Sequence, residues 1–429
     1  MSAYGTQQGA WRMPGVDPTA WTDIDQLVRF AQVAERGLLH FLFLPDFPAL
    51  REDIERESVM MALDPLLTLT AIARETKRIG LVATGATTFA EPFTIARQFK
   101  ALDIISHGRA GWNAVPMSDP TVAANFSHPL PPRQEKYERL HETVQIVQAL
   151  WGSWGRDAWV HDQASGRFAD AAKVQPVNLR GRHVASRGPL PIPPSEQGQP
   201  VIFQAGGGSA GLEVAGRYAN GVAGAVWTID DARAQRVALR EAAARNGRDP
   251  DEVKFFAGVM PTIAPTRRAA LDRRIALTEG KFEERVAYLQ QMLGIRLDIG
   301  HLEQPLSPQQ LAAARPSPHD PRSKNALKIA REGWSLRDVI AHGVIDYHPV
   351  IAGPGVAVAD HMQEWFEAGA ADGFWIMIDV YQDGMDAFAD EVVPILQRRG
   401  LFHTEYESAT LRDHLGAPAQ YGLDPRLVG

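Results

Sequence analysis

The chain has 429 residues, 45% of them hydrophobic, and carries 44 Lys and Arg against 51 Asp and Glu for a net charge of −7. That is ample apolar material for a large core, and the slightly acidic balance, with no basic block, excludes an ordinary nucleic-acid binder. There is no cysteine, which removes disulfides, thiolate metal sites and cysteine nucleophiles and agrees with a cytoplasmic setting.

The opening residues, MSAYGTQQGAWRMPG, have neither a basic n-region nor an apolar h-region, so no signal peptide is expected. No apolar run approaches the roughly 18 residues of a membrane span. Residues 1–19 read as a loop. Helical spacing of apolar residues follows over 20–36, ending at Gly37, and a buried strand over 39–45 ends at Pro45 and Asp46. A helix over 64–77 is predicted to start with Asp64 as N-cap and Pro65 at its first position. Strand 79–84, helix 94–105, strand 109–115 and a long amphipathic helix over 133–154 come next. Residues 155–199 are polar and lack a sustained period, an inserted excursion with room for a hairpin.

The second half repeats the alternation. Strand 201–205 leads into a glycine turn and a helix. Strand 222–228, helix 230–246, strand 254–263 and a helical region over 266–293 follow. Residues 295–350, rich in Pro and His, read as a second insertion that acts as a lid. Helix 356–368, strand 373–378 and helix 385–399 close the pattern, and the polar tail 403–429 is expected to wrap the surface or a partner subunit. Strands alternating with helices predict a parallel sheet with helices outside it. Seven strands are countable, one short of an eight-stranded barrel. The natural place for the missing one is ahead of the first helix, where residues 1–5 form at most a stump. An open doubly wound sheet is the alternative that does not need it.

The stretch VIFQAGGGSAGLEVAGRY, 201–218, concentrates the chemistry. A strand, three glycines and a helix N-terminus opened by Ser209 make an anion site, because unpaired backbone N–H groups and the positive end of the helix dipole converge there. Gly206, Gly208 and Gly211 also fit the dinucleotide spacing, with Asp230 and Asp231 about 20 residues on. The readings are a phosphate grip at the carboxyl end of a barrel, a Rossmann turn, or a glycine turn that binds nothing. Asp46, at a strand end, suits a ligand contact or a turn cap. Thr87 and Thr88, after the next strand, suit the same two roles. Asn113 lies within a strand, where its amide needs a hydrogen-bond partner. Arg133 and Tyr137 share a helix face at i, i+4 and can both reach a phosphate. The histidines show no metal-ligand spacing and no G-x-S-x-G serine is present, so no metal is expected. Trp11, Trp112, Trp227 and Trp375 are candidates for an aromatic pocket or for core.

HGRAGWNAV (107–115), AANF (123–126), RYANGV (217–222), GAADGF (369–374), VVPILQRRGLF (392–402) and TEYESATLRDHLG (404–416), in order over nearly the whole chain, together resemble one family. It is the bacterial-luciferase-like flavin monooxygenases, in the branch of the nitrilotriacetate and dibenzothiophene-sulfone monooxygenases. The resemblance implies a TIM (β/α)8 barrel with insertions, its first strand short or missing here. It implies reduced FMN supplied by a separate NAD(P)H:flavin reductase, O2 as co-substrate, and oxygenation of a small organic compound through a flavin peroxide. A homodimer or homotetramer is the expected assembly.

By position, the resemblance places Asp46, Thr87 or Thr88, and Asn113 near the isoalloxazine. It places Tyr137 and the Gly207, Gly208, Ser209 turn on the phosphate. Where the family usually writes Gln-Ala-Gly-Ala-Ser, this chain has Gly208 in place of the serine and Ser209 one position later. Where the family often has histidine, it has Arg133, whose guanidinium is a stronger phosphate partner. Gln8 and Met13 stand where histidines often flank the GAWR motif on the substrate side, and Pro116 and Met117 replace two hydroxyls. Tyr347 and His348, at the end of the second insertion, are further candidates for the substrate pocket. Two other readings remain: a flavin-binding relative without monooxygenase activity, and an NAD(P)-linked dehydrogenase using the 206–211 turn.

Overall fold

The computed structural model describes residues 3–50, 54–127, 129–205 and 207–423. Its centre is an eight-stranded, all-parallel sheet: β1 (Phe41–Leu44), β2 (Gly80–Ala86), β3 (Ala110–Val115), β4 (Val201–Ala205), β5 (Gly221–Gly224), β6 (Lys254–Ile263), β7 (Val350–Gly353) and β8 (Gly373–Ile376). β1 to β6 neighbour one another in chain order. A doubly wound sheet reverses its order at a switch point, and no reversal occurs over these six strands. The ten-residue β6 then serves two partners on its far side, β8 along Phe256–Val259 and β7 along Met260–Ile263.

The sheet is curled on itself. Phe41 of β1 packs against Phe203 of β4 and Phe256 of β6, with ring centroids 4.9 and 5.2 Å apart, and Phe43 lies 5.8 Å from Trp375 of β8. Strands so far apart in the sheet touch only if its faces enclose a common interior. Side chains alternate across that wall. On β3, Trp112 faces outward, packing on Phe99 and Trp151 and donating its indole N–H to the Gly85 carbonyl at 3.0 Å. Gly111 and Asn113 therefore face inward.

The helices lie outside: α1 (Ile24–Arg36), α2 (Pro65–Glu75), α3 (Pro92–Ile105), α4 (Arg133–Trp151), α5 (Ser209–Tyr218), α6 (Ile229–Arg245), α7 (Arg267–Thr278) and α8 (Phe282–Leu293). α2 starts as its sequence dictates, with the Asp64 carboxylate accepting from the Leu67 N–H at 2.9 Å and Pro65 at the first turn. The 155–199 excursion holds two small antiparallel hairpins, Trp159–Asp162 with Arg167–Ala169 and Leu179–Arg180 with Ala185–Ser186.

Several expectations are corrected. The eighth strand is β7, which starts at the last residue of the segment read as an insertion and runs past it, and no strand forms among described residues 3–40. There Thr6 and Gln7 donate their N–H groups to the carbonyls of Ile378 and Asp379. The region 266–293 is two helices, parted at Gly280 with φ of 88°. The second of them, α8, joins the residues after it in a helical cap with its own core, including Leu289, Leu293, Val339 and Ile340. The closing helix is interrupted by a π turn, Phe388–Val392, just before Pro394, which has no N–H to donate.

The tail does not merely wrap the surface. Leu411 and Leu415 enter the floor of the barrel beside Val82, Phe203 and Phe256. Room for them is made by missing side chains: a Cβ on Gly80 would stand 2.5 Å from Leu411 and one on Gly111 3.1 Å from it. Arg412, 2% exposed, ties the tail down by donating to the carbonyls of Gln199 at 2.8 Å and of Pro200 and Pro418 at 3.2 Å each.

The wall has one gap. Among the described residues β1 is bonded only to β2, and β8 only to β6. A cavity of about 690 Å³ occupies the seam between them, lined mainly by apolar side chains.

Candidate functional site

Because the strands are parallel, the segments that follow them gather at one end of the barrel. Asp46 follows β1, Thr87 and Thr88 follow β2, Asn113 lies near the end of β3 and the Gly207–Ser209 turn follows β4. The structure brings these groups to one rim.

Asn113 is 3% exposed; its Nδ2 donates to Thr84 Oγ1 at 2.9 Å, and its Oδ1 has no partner. A buried acceptor left open is costly unless a ligand donor meets it. Thr87 is wholly buried, and its N–H and hydroxyl both donate to the Val115 carbonyl, at 2.9 and 3.3 Å. Thr88 donates its hydroxyl to the Met117 carbonyl at 3.4 Å. Both hydroxyl protons thus brace the loops, leaving oxygen lone pairs to accept. Burial, then the nearby Asp64, push the Asp46 carboxyl above the usual carboxylate range, while the Phe47 N–H pulls the other way.

The second cluster stands around the start of α5. Gly208 is the N-cap and offers no side-chain oxygen, and the first intrahelical bond is Leu212 N–H to the Gly208 carbonyl at 2.9 Å. The N–H groups of Ser209, Ala210 and Gly211 have no acceptor within the helix. Arg133, the first residue of α4, reaches across: a Cβ on Gly208 would lie 3.4 Å from its Nη2. Its guanidinium also lies over the Tyr137 ring, 5.9 Å from the centroid. Gly207, Gly208, Ser209 and Arg133 are all exposed. A Cβ on Gly207 would stand 2.5 Å from Gln235 Nε2, so the end of that side chain covers one side of the turn and would have to shift to admit a larger residue. Gly206 lies outside the described residues.

The substrate candidates are less united. His348 is 0% exposed, its ring 5.0 Å edge-on from Trp375, and neither ring nitrogen has a partner; the Trp375 Nε1 is also unpaired. Burial alone pushes the imidazole down to about 4, so it is neutral at ordinary pH. Tyr347 stacks edge-on at 4.5 Å and is largely exposed at the cavity rim. Gln8 instead accepts from Lys281 Nζ at 2.9 Å, beside Glu57, which is paired with Lys281 and Arg12 at 3.6 and 3.7 Å. Met13 packs with Leu277 and Val380. Neither Gln8 nor Met13 lines the large cavity.

Other contributors were not evident from sequence. Arg139 donates to the carbonyls of Thr87 and Ala90 at 2.9 and 3.1 Å and holds the loop after β2. Its only sequence signal is its place on the same long helix, six residues after Arg133. Thr84 orients Asn113, and Phe41, Phe43, Phe203 and Phe256 furnish the interior. Of the tryptophans, Trp375 lines the cavity, whereas Trp112 is core. Among the described residues no group of three or more His, Cys, Asp or Glu side chains is placed to hold a metal ion.

A curled parallel sheet with helices outside and its ligand-ready groups at the carboxyl end defines an α/β-barrel enzyme. The chain belongs to the luciferase-like monooxygenase family, which its residues 3–372 match. It is 36% identical to N-acetyl-S-(2-succino)cysteine monooxygenase of Bacillus subtilis, over 97% of this chain and 95% of that one. It is 36% identical to nitrilotriacetate monooxygenase component A of Aminobacter aminovorans, over 96% and 94%. Among solved structures, EDTA monooxygenase from a Chelativorans species superposes with a TM-score of 0.82 at 29% identity, covering 99% of this chain and 98% of that one. A riboflavin lyase solved with modified FMN and riboflavin superposes with 0.77 at 30% identity, covering 98% and 94%. The barrel class and the enzyme class are thus those the sequence motifs implied. Among the described residues no helix is long and apolar enough to cross a membrane.

Proposed function

We propose that the protein is the oxygenating component of a two-component monooxygenase that uses reduced FMN, delivered by a separate NAD(P)H:flavin reductase, and O2 to oxygenate a small organic compound. The observation that carries this reading is the convergence of Arg133, Tyr137 and the uncapped start of α5 on one open turn. It is a dianion site at the barrel rim, on the same rim as a buried acceptor that lacks a donor.

The residues present fit FMN. The N–H groups of Ser209 to Gly211 and the α5 dipole hold the phosphate, with Arg133 donating a charged hydrogen bond from α4. Tyr137 adds its hydroxyl. Asn113 Oδ1 accepts from a ring N–H, and Thr87 and Thr88 offer lone pairs to the same edge. Asp46 closes the rim beside β1. When bound and reduced, FMN supplies the electrons that activate O2; the organic step belongs to the cofactor. The protein's own contribution is to orient the ring and exclude water. The phenylalanine-lined interior and the helical cap serve that exclusion, and Tyr347 faces the substrate from the cavity rim with the neutral His348 imidazole packed behind it.

The reading is tested by anaerobic titration with reduced FMN followed by admission of O2. Saturable binding and a transient absorbance band distinct from reduced and oxidised flavin are expected. Failure to bind reduced FMN overturns the reading. Binding with no transient and no reductase-dependent product leaves a flavin binder without oxygenase activity.

A further inference from the structure

One turn on the barrel rim joins the loops that carry the ring-edge groups, yet supplies none of those groups itself. The segment after β3 coils into a single helical turn, Pro120–Ala123, capped by Asp119, whose carboxylate accepts from the N–H groups of Thr121 at 2.8 Å and Val122 at 3.4 Å. Val122 and Ala123 are buried and anchor the turn, while Asn125 and Phe126 are exposed. These last two side chains reach the neighbouring loops. Asn125 Nδ2 donates to the carbonyl of Pro48 at 2.9 Å, just beyond Asp46 in the segment after β1. Phe126 stacks on Phe89, which follows Thr88 in the segment after β2, with ring centroids 4.4 Å apart and planes 10° from parallel. The segments after β2 and β3 are braced further by α4. Arg139 donates to the carbonyls of Thr87 and Ala90, and Lys136 Nζ donates to Ser118 Oγ at 2.7 Å. Pro48 is where the segment after β1 joins this braced pair.

We propose that this turn is a clasp that sets the spacing between Asp46 on one side and Thr87 and Thr88 on the other, with Asn125 and Phe126 as positioning residues for the flavin ring. The inference rests on the assignment of those three groups to the ring edge. The reason is mechanical. An exposed hydrogen bond and an exposed ring stack add little to global stability, but loops open locally at a free energy far below that of unfolding. Contacts between loop ends therefore decide how often the rim is in its ordered arrangement. A planar ligand held along two edges needs both edges at a fixed separation. The phosphate groups lie outside this linkage, since Arg133 and the start of α5 meet without passing through the turn. The clasp thus acts on the ring end of the flavin and leaves the phosphate end alone.

The experiment titrates the full chain with FMN and with riboflavin, which has the same ring and no phosphate, and records the visible circular dichroism of the bound flavin and the thermal midpoint. The variants are Asn125→Ala, Asn125→Gln, Phe126→Leu, Asp46→Asn and the double variant Asp46→Asn with Asn125→Ala. Asn125→Ala and Phe126→Leu are each expected to weaken both flavins by the same factor, about three- to tenfold, the range of one hydrogen bond or one aromatic stack. Both are expected to change the visible dichroism and leave the thermal midpoint in place. Asn125→Gln keeps an amide donor and is expected to restore most of the affinity. In the Asp46→Asn background, Asn125→Ala is expected to cost little more, because a residue that acts through Asp46 has nothing left to position. The proposal is overturned if Asn125→Ala and Phe126→Leu leave affinity and dichroism unchanged. It is also overturned if they weaken FMN but not riboflavin, or if Asn125→Ala costs as much with Asp46→Asn as without it. Failure of the unsubstituted chain to bind either flavin overturns the proposed function itself, and the clasp with it.

Discussion

Gly208 turns its bare Cα toward the guanidinium of Arg133, close enough that a methyl group there would sit 3.4 Å from Nη2. Two elements far apart in the chain, the start of α4 and the start of α5, thereby share one positively polarised spot. Hydrogen bonds to charged groups are worth roughly 1.5–3 kcal/mol. Arg133→Ala is therefore expected to weaken FMN binding roughly ten- to hundredfold, read by fluorescence titration, with little change in the thermal midpoint because the side chain is exposed. Unchanged FMN affinity would remove the arginine from the phosphate site.

Gly208 has φ of −71° and ψ of 152°, values that any residue adopts. Gly208→Ser adds a hydroxyl with no backbone strain. It is expected to tighten FMN binding and to make Arg133→Ala less costly when the two are combined, since both groups serve one phosphate. If the hydroxyl instead only caps α5, stability rises by no more than about a few tenths of a kcal/mol, since glycine is itself a fair N-cap, and FMN affinity stays where it was.

The open Oδ1 of Asn113 separates a ligand role from a packing role. Asn113→Ala removes one neutral hydrogen bond to the ring, worth roughly 0.5–1.5 kcal/mol, so FMN binding is expected to weaken up to about tenfold. Thr84→Val leaves the amide in place but frees its Nδ2 to swing, and an intermediate loss is expected. Equal stability losses with no loss of FMN affinity would mark the pair as structural.

Acid should weaken the fold. Burial pushes His348 and His361 down to about 4, and burial with His403 and His414 does the same to His40. These rings stay neutral in the native protein while the unfolded chain takes up protons near 6.5. Their contribution is complete above pH 6.5 and is lost as pH falls toward 4. For the wholly buried His348 the loss is up to about 1.4 kcal/mol per pH unit. Denaturation midpoints are expected to drop across this window, and His348→Asn to make the drop shallower. An unchanged slope in that variant would mean that His348 is protonated or solvated in the native state.

At the opposite end of the barrel, Arg412→Met strands the carbonyls of Gln199, Pro200 and Pro418 without a donor. A loss of about 3 kcal/mol is expected in urea denaturation, with FMN affinity unaffected because the rim is remote from the plug.

What could be read from the chain beforehand depended on how local the cause was. The β4–turn–α5 unit was legible because an apolar run, three glycines and a helical period follow directly on one another. Arg133 and Tyr137 were legible as an i, i+4 pair, but their meeting with Gly208 is tertiary. Asn113 stood out as an amide inside a strand. β7 was missed because Val350–Gly353 is four residues long, lies at the end of a helical segment, and exists only because β6 is long enough to pair twice. The tail misled because its composition is polar. Leu411 and Leu415, spaced i, i+4, are buried by two glycines on other strands, which no local pattern reveals. Gln8 and Met13 were assigned by position in a motif, and their neighbours Lys281 and Leu277 come from a distant helical region.

The most direct measurement is a crystal structure of the protein soaked with FMN. The phosphate is expected between the Arg133 guanidinium and the N–H groups that open α5, with a ring N–H on Asn113 Oδ1. FMN bound with its phosphate away from Arg133 and Ser209, or lying outside the barrel rim, would contradict the proposed function.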